Sequence, residues 1–185
     1  MRPRNLLAAA SVLAAASAPA AIIVEQAPGR LTCTAPAGRF ESRILASLAE
    51  GKRIAGRIRL LAAEGDSRWL PAAGFLFGTP RQRGSAGVQL ILIPGDSDRL
   101  TAGLRVPNEV RPIGMGQVPA REWIPVSVSL SNAGRLEVAI ADVTIRRRVR
   151  RRSGMVPFLM CNSGSFEFDL APGVELSSDR FEQGR

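Results

Sequence analysis

Alternation of apolar and polar residues with a period of two is the feature that most limits how this chain can fold. Every second residue is apolar over residues 124–130, and the same pattern returns over residues 135–140. The turn sequence SNAG at residues 131–134 separates the two runs. Because successive side chains of a β-strand point to opposite faces, the pattern predicts an antiparallel hairpin with one buried face.

Similar strand-like runs, mostly separated by glycine or proline, recur along the chain. Residues 88–93 (VQLILI) are apolar on both faces, which predicts a central strand. This spacing is typical of an all-β fold, an antiparallel sandwich of two sheets. The other predicted strands cover residues 56–62, 70–77, 104–110, 143–149, 155–161 and 165–170.

One segment departs from the period of two. Phe40, Ile44 and Leu48 recur every four residues, and Gly51 is placed where a helix would end. We therefore expect one short helix near the N-terminus of the sandwich.

The first twenty residues have the three parts of a secretory signal. Arg2 and Arg4 precede an uncharged apolar run over residues 6–16, and Ala18-Pro19-Ala20 supplies small residues for cleavage before Ala21. The run is too short to span a bilayer, although an N-terminal anchor is the alternative. We expect a cleaved signal over residues 1–20, one β-sandwich domain over 21–176, a frayed tail over 177–185, and a periplasmic or secreted mature protein that does not span a membrane.

Export changes the interpretation of the two cysteines, Cys33 and Cys161. In an oxidising compartment, two cysteines in an otherwise cysteine-free domain usually form a disulfide. The bridge would require the first and last strands of the domain to be neighbours. Two buried free thiols are the alternative.

Composition excludes several classes of catalytic site. The chain has no histidine, so it cannot form a Ser-His-Asp or Cys-His nucleophile or an imidazole-bearing metal site. Paired carboxylates are the remaining common hydrolytic machinery. Glu167 and Asp169 begin an acidic run, but no third acid follows, so solvated strand residues are the preferred interpretation and no catalytic residue is predicted.

The order of these patterns resembles the concanavalin A-like lectin/glucanase jelly roll, particularly its laminin-G-type members. The resemblance covers residues 31–172. It is carried by the strand at 54–61, the Trp69-Leu70-Pro71 opening, the run WIPVSV at 123–128 with its partner RLEVAI at 135–140, and the closing run GSFEFD at 164–169. It implies a curved two-sheet sandwich whose concave face or rim loops bind glycans or protein ligands.

An arginine-rich run is the strongest local charge feature in a chain of net charge +9. Guanidinium groups bind carboxylate or phosphate bidentately, whereas a solvated strand edge is the simpler interpretation. Nucleic acid is not expected, because no aromatic residues are interleaved with the arginines. The candidate anion-binding patch consists of Arg146, Arg147, Arg148, Arg150, Arg151 and Arg152.

Four further residues are candidates for ligand binding. Asp96 and Asp98 lie in a turn at a spacing that could seat Ca²⁺, which needs six to eight oxygens, but two carboxylates and Ser97 supply too few. An Asx-type turn is therefore preferred, with Ca²⁺ as the alternative, and no other cofactor or metal is expected. Trp69 and Trp123 could stack on sugar rings, although a strand-borne tryptophan is more often part of the core.

The preferred function is that of an exported, non-catalytic domain that recognises a glycan or another anionic envelope component. An envelope assembly protein that docks a protein partner through the arginine-rich hairpin is the first alternative. A carboxylate-dependent glycan hydrolase is the second.

Overall fold

A computed structural model describes residues 20–47, 52–64, 68–78, 84–107, 109, 111–150 and 154–177. Within these ranges the chain is all β, with twelve strands and no helix. The strands are β1 (Ile22–Ala27), β2 (Arg30–Ser47), β3 (Lys52–Ala63), β4 (Ala72–Gly78), β5 (Ala86–Leu92), β6 (Arg99–Arg105), β7 (Ile113–Pro119), β8 (Ile124–Leu130), β9 (Arg135–Ile140), β10 (Val143–Arg148), β11 (Val156–Leu170) and β12 (Val174–Leu176).

All pairings between these strands are antiparallel, and two long strands divide them into two layers. In the first layer the order is β10-β9-β8-β3-β11-β2-β1, with β11 contributing residues 164–170 and β2 contributing residues 30–35. In the second layer the order is β2-β11-β4-β5-β6-β7, with residues 40–44 of β2 and 156–162 of β11. The short β12 pairs with the last residues of β2.

The two layers pack face to face. Strand β5 contacts β8 and β9, although it is hydrogen-bonded to neither. Phenylalanines from both layers fill the space between them, and the rings of Phe75 and Phe168 have their centroids 5.7 Å apart. The structure is therefore the expected two-sheet sandwich.

The disulfide between Cys33 and Cys161 is present. Cys33 lies on the part of β2 in the first layer, and Cys161 lies on the part of β11 in the second. Both side chains are fully buried, and their Cα atoms are 6.1 Å apart. The bridge was expected to require the first and last strands to be neighbours. The strands that carry the cysteines, β2 and β11, are neighbours and pair along most of their length, whereas the first strand, β1, and the last, β12, each pair with β2.

The predicted N-terminal helix is wrong over residues 40–47, which belong to β2. Phe40 pairs with Asn162 and Ile44 with Phe158, so the partner strand decides the local conformation. The apparent period of four is incidental: Phe40 is 42% exposed, whereas the intervening Ser42 is buried. Leu48 and Gly51 lie outside the described residues.

Two strand predictions also need correction. The strand predicted at 104–110 begins earlier and ends at Arg105. The runs at 155–161 and 165–170 are one strand, β11, whose register shifts between Asn162 and Gly164 in its pairing with β2 and between Ser165 and Phe166 in its pairing with β3. Val88 to Ile93 was correctly predicted as central, since β5 lies between β4 and β6.

No helix in the described part of the chain is long and apolar enough to cross a bilayer.

Candidate functional site

The solvent-facing side of the first layer carries many polar side chains that strand pairing brings together. On β3, Ile54, Ile58 and Leu60 are buried in the core, so the alternating residues point away from it. Strand register extends this face across the layer. We call it the outer face; it consists of Arg30, Thr32, Arg53, Ala55, Arg57, Arg59, Trp123, Pro125, Ser127, Ser129, Arg135, Glu137, Ala139, Thr144, Arg146, Arg148, Glu167 and Asp169.

Trp123 lies at one end of the outer face, immediately before β8, and is half-buried. Three guanidinium groups surround its ring, with their central carbons 4.6 Å (Arg59), 5.2 Å (Arg57) and 5.7 Å (Arg30) from the ring centroid. A cation within about 6 Å of an indole face is attracted by the ring quadrupole. We call these four residues the tryptophan cluster.

Two carboxylates of β11 hold the arginines of this cluster in place. Arg59 donates from Nε to Glu167 at 2.7 Å, and the Arg30 Nε lies 3.6 Å from the other carboxylate oxygen of Glu167. Arg57 forms an ion pair with Asp169, with both Nε and a terminal nitrogen donating to one oxygen. Glu167 is only 5% exposed, so the prediction that it is a solvated strand residue is wrong.

A shallow groove of about 650 Å³ begins beside the tryptophan cluster. Small residues from three adjacent strands form its floor: Ala55, Ser127 and Ala139. Arg57 and Asp169 line it on the side of the cluster. Because the floor side chains are short, a flat ligand can approach the sheet closely here.

A second groove, of about 540 Å³, lies over the other end of β8 and β9 and is lined largely by arginines. Arg146 donates from Nε to Glu137 at 2.6 Å. This hydrogen bond, with the charge of Arg146, holds the pKa of Glu137 below its usual value and raises the pKa of Arg146. The arginines lining this groove are Arg135, Arg146, Arg147 and Arg148.

The predicted anion-binding patch is therefore only partly described by the structure. Arg146, Arg147 and Arg148 line the second groove, and Arg150 is exposed beyond the end of β10. Arg151 and Arg152 lie outside the described residues.

Sequence reasoning missed Arg135, which lies directly opposite Arg148 in the β9–β10 pairing. The alternation over residues 135–140 already predicts that the Arg135 side chain points to the solvent face. The sequence does not show that β10 is the neighbouring strand, which is what places Arg135 opposite Arg148. Arg30, Arg57 and Arg59 were also missed, because no local motif connects them with Trp123.

The other predicted ligand-binding residues lie elsewhere. Trp69 is 52% exposed, so it does not belong to the core, and its ring lies beside Gly38 of β2. Asp96 accepts hydrogen bonds from the backbone N–H groups of Asp98 and Arg99, and from the Arg99 side chain. These bonds, above all that from the Asp98 N–H, lower the pKa of Asp96.

The segment containing Asp96 and Asp98 is thus an Asx-type turn, as preferred from the sequence. Both carboxylate oxygens of Asp96 already accept hydrogen bonds within the turn. Among the described residues, no group of three or more cysteines and acidic side chains is arranged to hold a metal ion.

Comparison with known proteins identifies the fold. No protein-family model matches the sequence, and no curated protein is significantly similar to it. Among solved structures, the metal-free carbohydrate recognition domain of Emp46p superposes with a TM-score of 0.52 at 13% identity, over 84% of this chain and 85% of that one. The Emp47p carbohydrate recognition domain gives 0.45 at 16% identity, covering 88% and 90%. The carbohydrate-binding module CBM66 from Bacillus subtilis gives 0.44 at 10% identity, covering 81% and 84%.

The concanavalin A-like jelly roll expected from the sequence pattern is confirmed. At 13% sequence identity, the superposition on the Emp46p domain shows a shared fold and nothing about a shared ligand.

Proposed function

We propose that this chain is an exported, non-catalytic glycan-binding domain whose ligand lies on the outer face, against Trp123 and the adjoining groove. The observation that carries the proposal is the tryptophan cluster: an indole whose position is held by three guanidiniums, next to an open groove with a floor of small residues. The similarity to the Emp46p domain is one of fold alone. The support for a binding role comes from the side chains of the outer face.

The chemistry of this end of the face suits a sugar. Sugar rings have apolar C–H faces that pack on an aromatic ring, and hydroxyl groups that donate and accept hydrogen bonds. Trp123 is half-buried and supplies the part of its ring that the guanidiniums leave exposed, while Arg57 supplies donors and Asp169 supplies acceptors at the edge of the groove. Since these side chains restrain one another, little side-chain entropy is lost on binding.

Export is supported by two independent features. Residues 1–20 have the order of charge, apolar run and small residues that signal peptidases recognise. The buried disulfide is typical of proteins that fold in an oxidising compartment. The binding domain would then cover residues 21–176.

The proposal that the domain is non-catalytic is supported by the ion pairs of its two neighbouring carboxylates, Glu167 and Asp169. Glycosidases place two carboxyl groups on either side of the scissile bond. Here Glu167 is buried beneath Arg30 and Arg59 and interacts with both, while Asp169 is paired with Arg57. Both acids have structural partners, which favours a binding role for this face.

Calorimetric titration with a panel of oligosaccharides tests the proposal. For the ligand that binds best, Trp123→Ala should weaken affinity about tenfold, equivalent to about 1.4 kcal/mol, because the stacking surface is removed. Trp69→Ala is the matched control and should bind like the wild type, since Trp69 lies beside Gly38 and not in the tryptophan cluster.

Equal binding by Trp123→Ala and the wild type would contradict the proposed site. Failure of every glycan to bind, with a protein partner crosslinking to β10, would instead support the envelope assembly role. Turnover of a glycan that disappears in Glu167→Gln would support the hydrolase.

A further inference from the structure

The outer face carries a marked excess of positive charge. Its seven arginines are opposed by only three carboxylates: Glu137, Glu167 and Asp169. Each carboxylate already interacts with at least one arginine: Glu137 with Arg146, Glu167 with Arg30 and Arg59, and Asp169 with Arg57.

Three arginines at the end of the face away from Trp123 have no ion-pair partner among the described carboxylates, although the charge of Arg53 acts on Glu137. They are Arg53, Arg135 and Arg148. Arg135 and Arg148 are directly opposite each other in the β9–β10 pairing. Like charges at opposite positions of a strand pair are unfavourable, so this pair costs stability until an anion lies between the two guanidiniums.

The two ends of the face are joined by the floor of small residues. Arg57 and Arg53 are four residues apart on β3, a separation of about 14 Å along an extended strand. Ala55, Ser127 and Ala139 lie between them in register. A chain of sugars lying along this path would therefore touch the tryptophan cluster at one end and the arginines of the second groove at the other.

We propose that the glycan is acidic: a polysaccharide bearing carboxylate or sulfate groups, whose sugar ring packs near Trp123 and whose next charged groups bind between Arg135 and Arg148. This inference rests on the proposed glycan-binding function and names its substrate class. Guanidinium groups donate paired hydrogen bonds to carboxylate and sulfate oxygens, which neutral sugars do not offer.

Three ligands of matched length test the inference: oligogalacturonate for carboxylate, heparin oligosaccharides for sulfate, and a neutral cello-oligosaccharide. The double variant Arg135→Gln/Arg148→Gln is compared with Arg105→Gln/Arg111→Gln. The control pair removes the same charge from the second layer and the loop before β7. Thermal unfolding without ligand shows that each variant folds, and the first should be at least as stable as the wild type because a repulsion has been removed.

We expect at least one acidic ligand to bind the wild type more tightly than the neutral one, with affinity that falls as salt is raised. Arg135→Gln/Arg148→Gln should weaken that affinity about tenfold or more, and the control pair should leave it nearly unchanged. Preference for galacturonate identifies carboxylate as the recognised group, whereas preference for heparin identifies sulfate.

Unchanged acidic binding in the Arg135→Gln/Arg148→Gln variant, or an equal loss in the control pair, would overturn the inference. If only the neutral ligand binds and Trp123→Ala abolishes that binding, the inference fails and the glycan-binding function stands. If no oligosaccharide binds, both fail.

Discussion

Glu167 is the side chain on which the tryptophan cluster depends most. It sits on β11 between β2 and β3, and it contacts an arginine from each of these neighbouring strands. Burial of its carboxylate is tolerated because two guanidiniums share its charge, and these guanidiniums in turn lie over Trp123. One acid thus sets the positions of three side chains of the candidate site.

Replacing Glu167 by glutamine should lower the free energy of unfolding by about 1–2 kcal/mol. The loss is smaller than for a fully buried pair because both arginines are partly exposed, so solvent screens them once the carboxylate is gone. Urea unfolding measures the effect. Glu175→Gln, on an exposed position of β12, should change stability by less than about 0.5 kcal/mol. Equal stability of the two variants would mean that the Glu167 ion pairs contribute nothing to folding.

Strands β2 and β11 make the two-layer architecture possible, because each begins in one layer and ends in the other. Both change layer at the same place, where the β2–β11 register shifts between Asn162 and Gly164. Gly38 (φ +72°) and Ser163 (φ +49°) have left-handed backbone conformations there, and the Gly38 N–H donates to the Ser163 hydroxyl at 3.1 Å. The bend is a local backbone feature that two paired strands share.

Gly38→Ala should destabilise the protein by about 1–2 kcal/mol, since an L-residue with a side chain disfavours the left-handed region. Steric contact is not the cause: a Cβ at Gly38 would lie 3.5 Å from the nearest atom of Trp69, an ordinary contact. Gly114→Ala on β7 is the matched control, because that position has open space and no positive φ. Thermal or urea unfolding of both variants checks this, and a cost at Gly38 no greater than at Gly114 would contradict it.

The disulfide joins the two layers of the sandwich, and it connects a residue near the start of the domain to one near its end. Cys33 and Cys161 are 128 residues apart in sequence. Cross-linking such distant residues removes many conformations from the unfolded chain, and this entropy is the main source of stabilisation in the loop-closure description.

The double variant Cys33→Ala/Cys161→Ala should therefore lose about 4–5 kcal/mol of unfolding free energy. The wild type measured in strong reductant should approach the same unfolding free energy, because its unfolded chain then also lacks the cross-link. Chemical denaturation with and without reductant makes the comparison. A wild type equally stable in both conditions, with the thiols shown by alkylation to be free after reduction, would contradict the role assigned to the bridge.

Local pattern predicted some of these elements well and others badly. The hairpin of β8 and β9 was correct because both strands alternate strictly and a clear turn sequence separates them. Residues 40–47 were misassigned as helix because their apolar spacing fits a period of four, while the pairing with β11 that makes them a strand is not local. The length of β11 was missed because the alternating pattern of residues 165–170 does not continue into residues 155–161, and the two runs meet at the register shift between Asn162 and Gly164.

The order of apolar and polar residues was enough to establish which class of fold the chain adopts, and the absence of histidine was enough to exclude whole classes of chemistry. The tryptophan cluster required folding: Arg30, Arg57, Arg59 and Trp123 come from two strands and a connection spread over more than ninety positions. They meet because β3 pairs with β8 on one side and with β11 on the other, and β11 pairs in turn with β2. Alternation determines which face a residue occupies, but strand neighbours are chosen by the packing of the complete core.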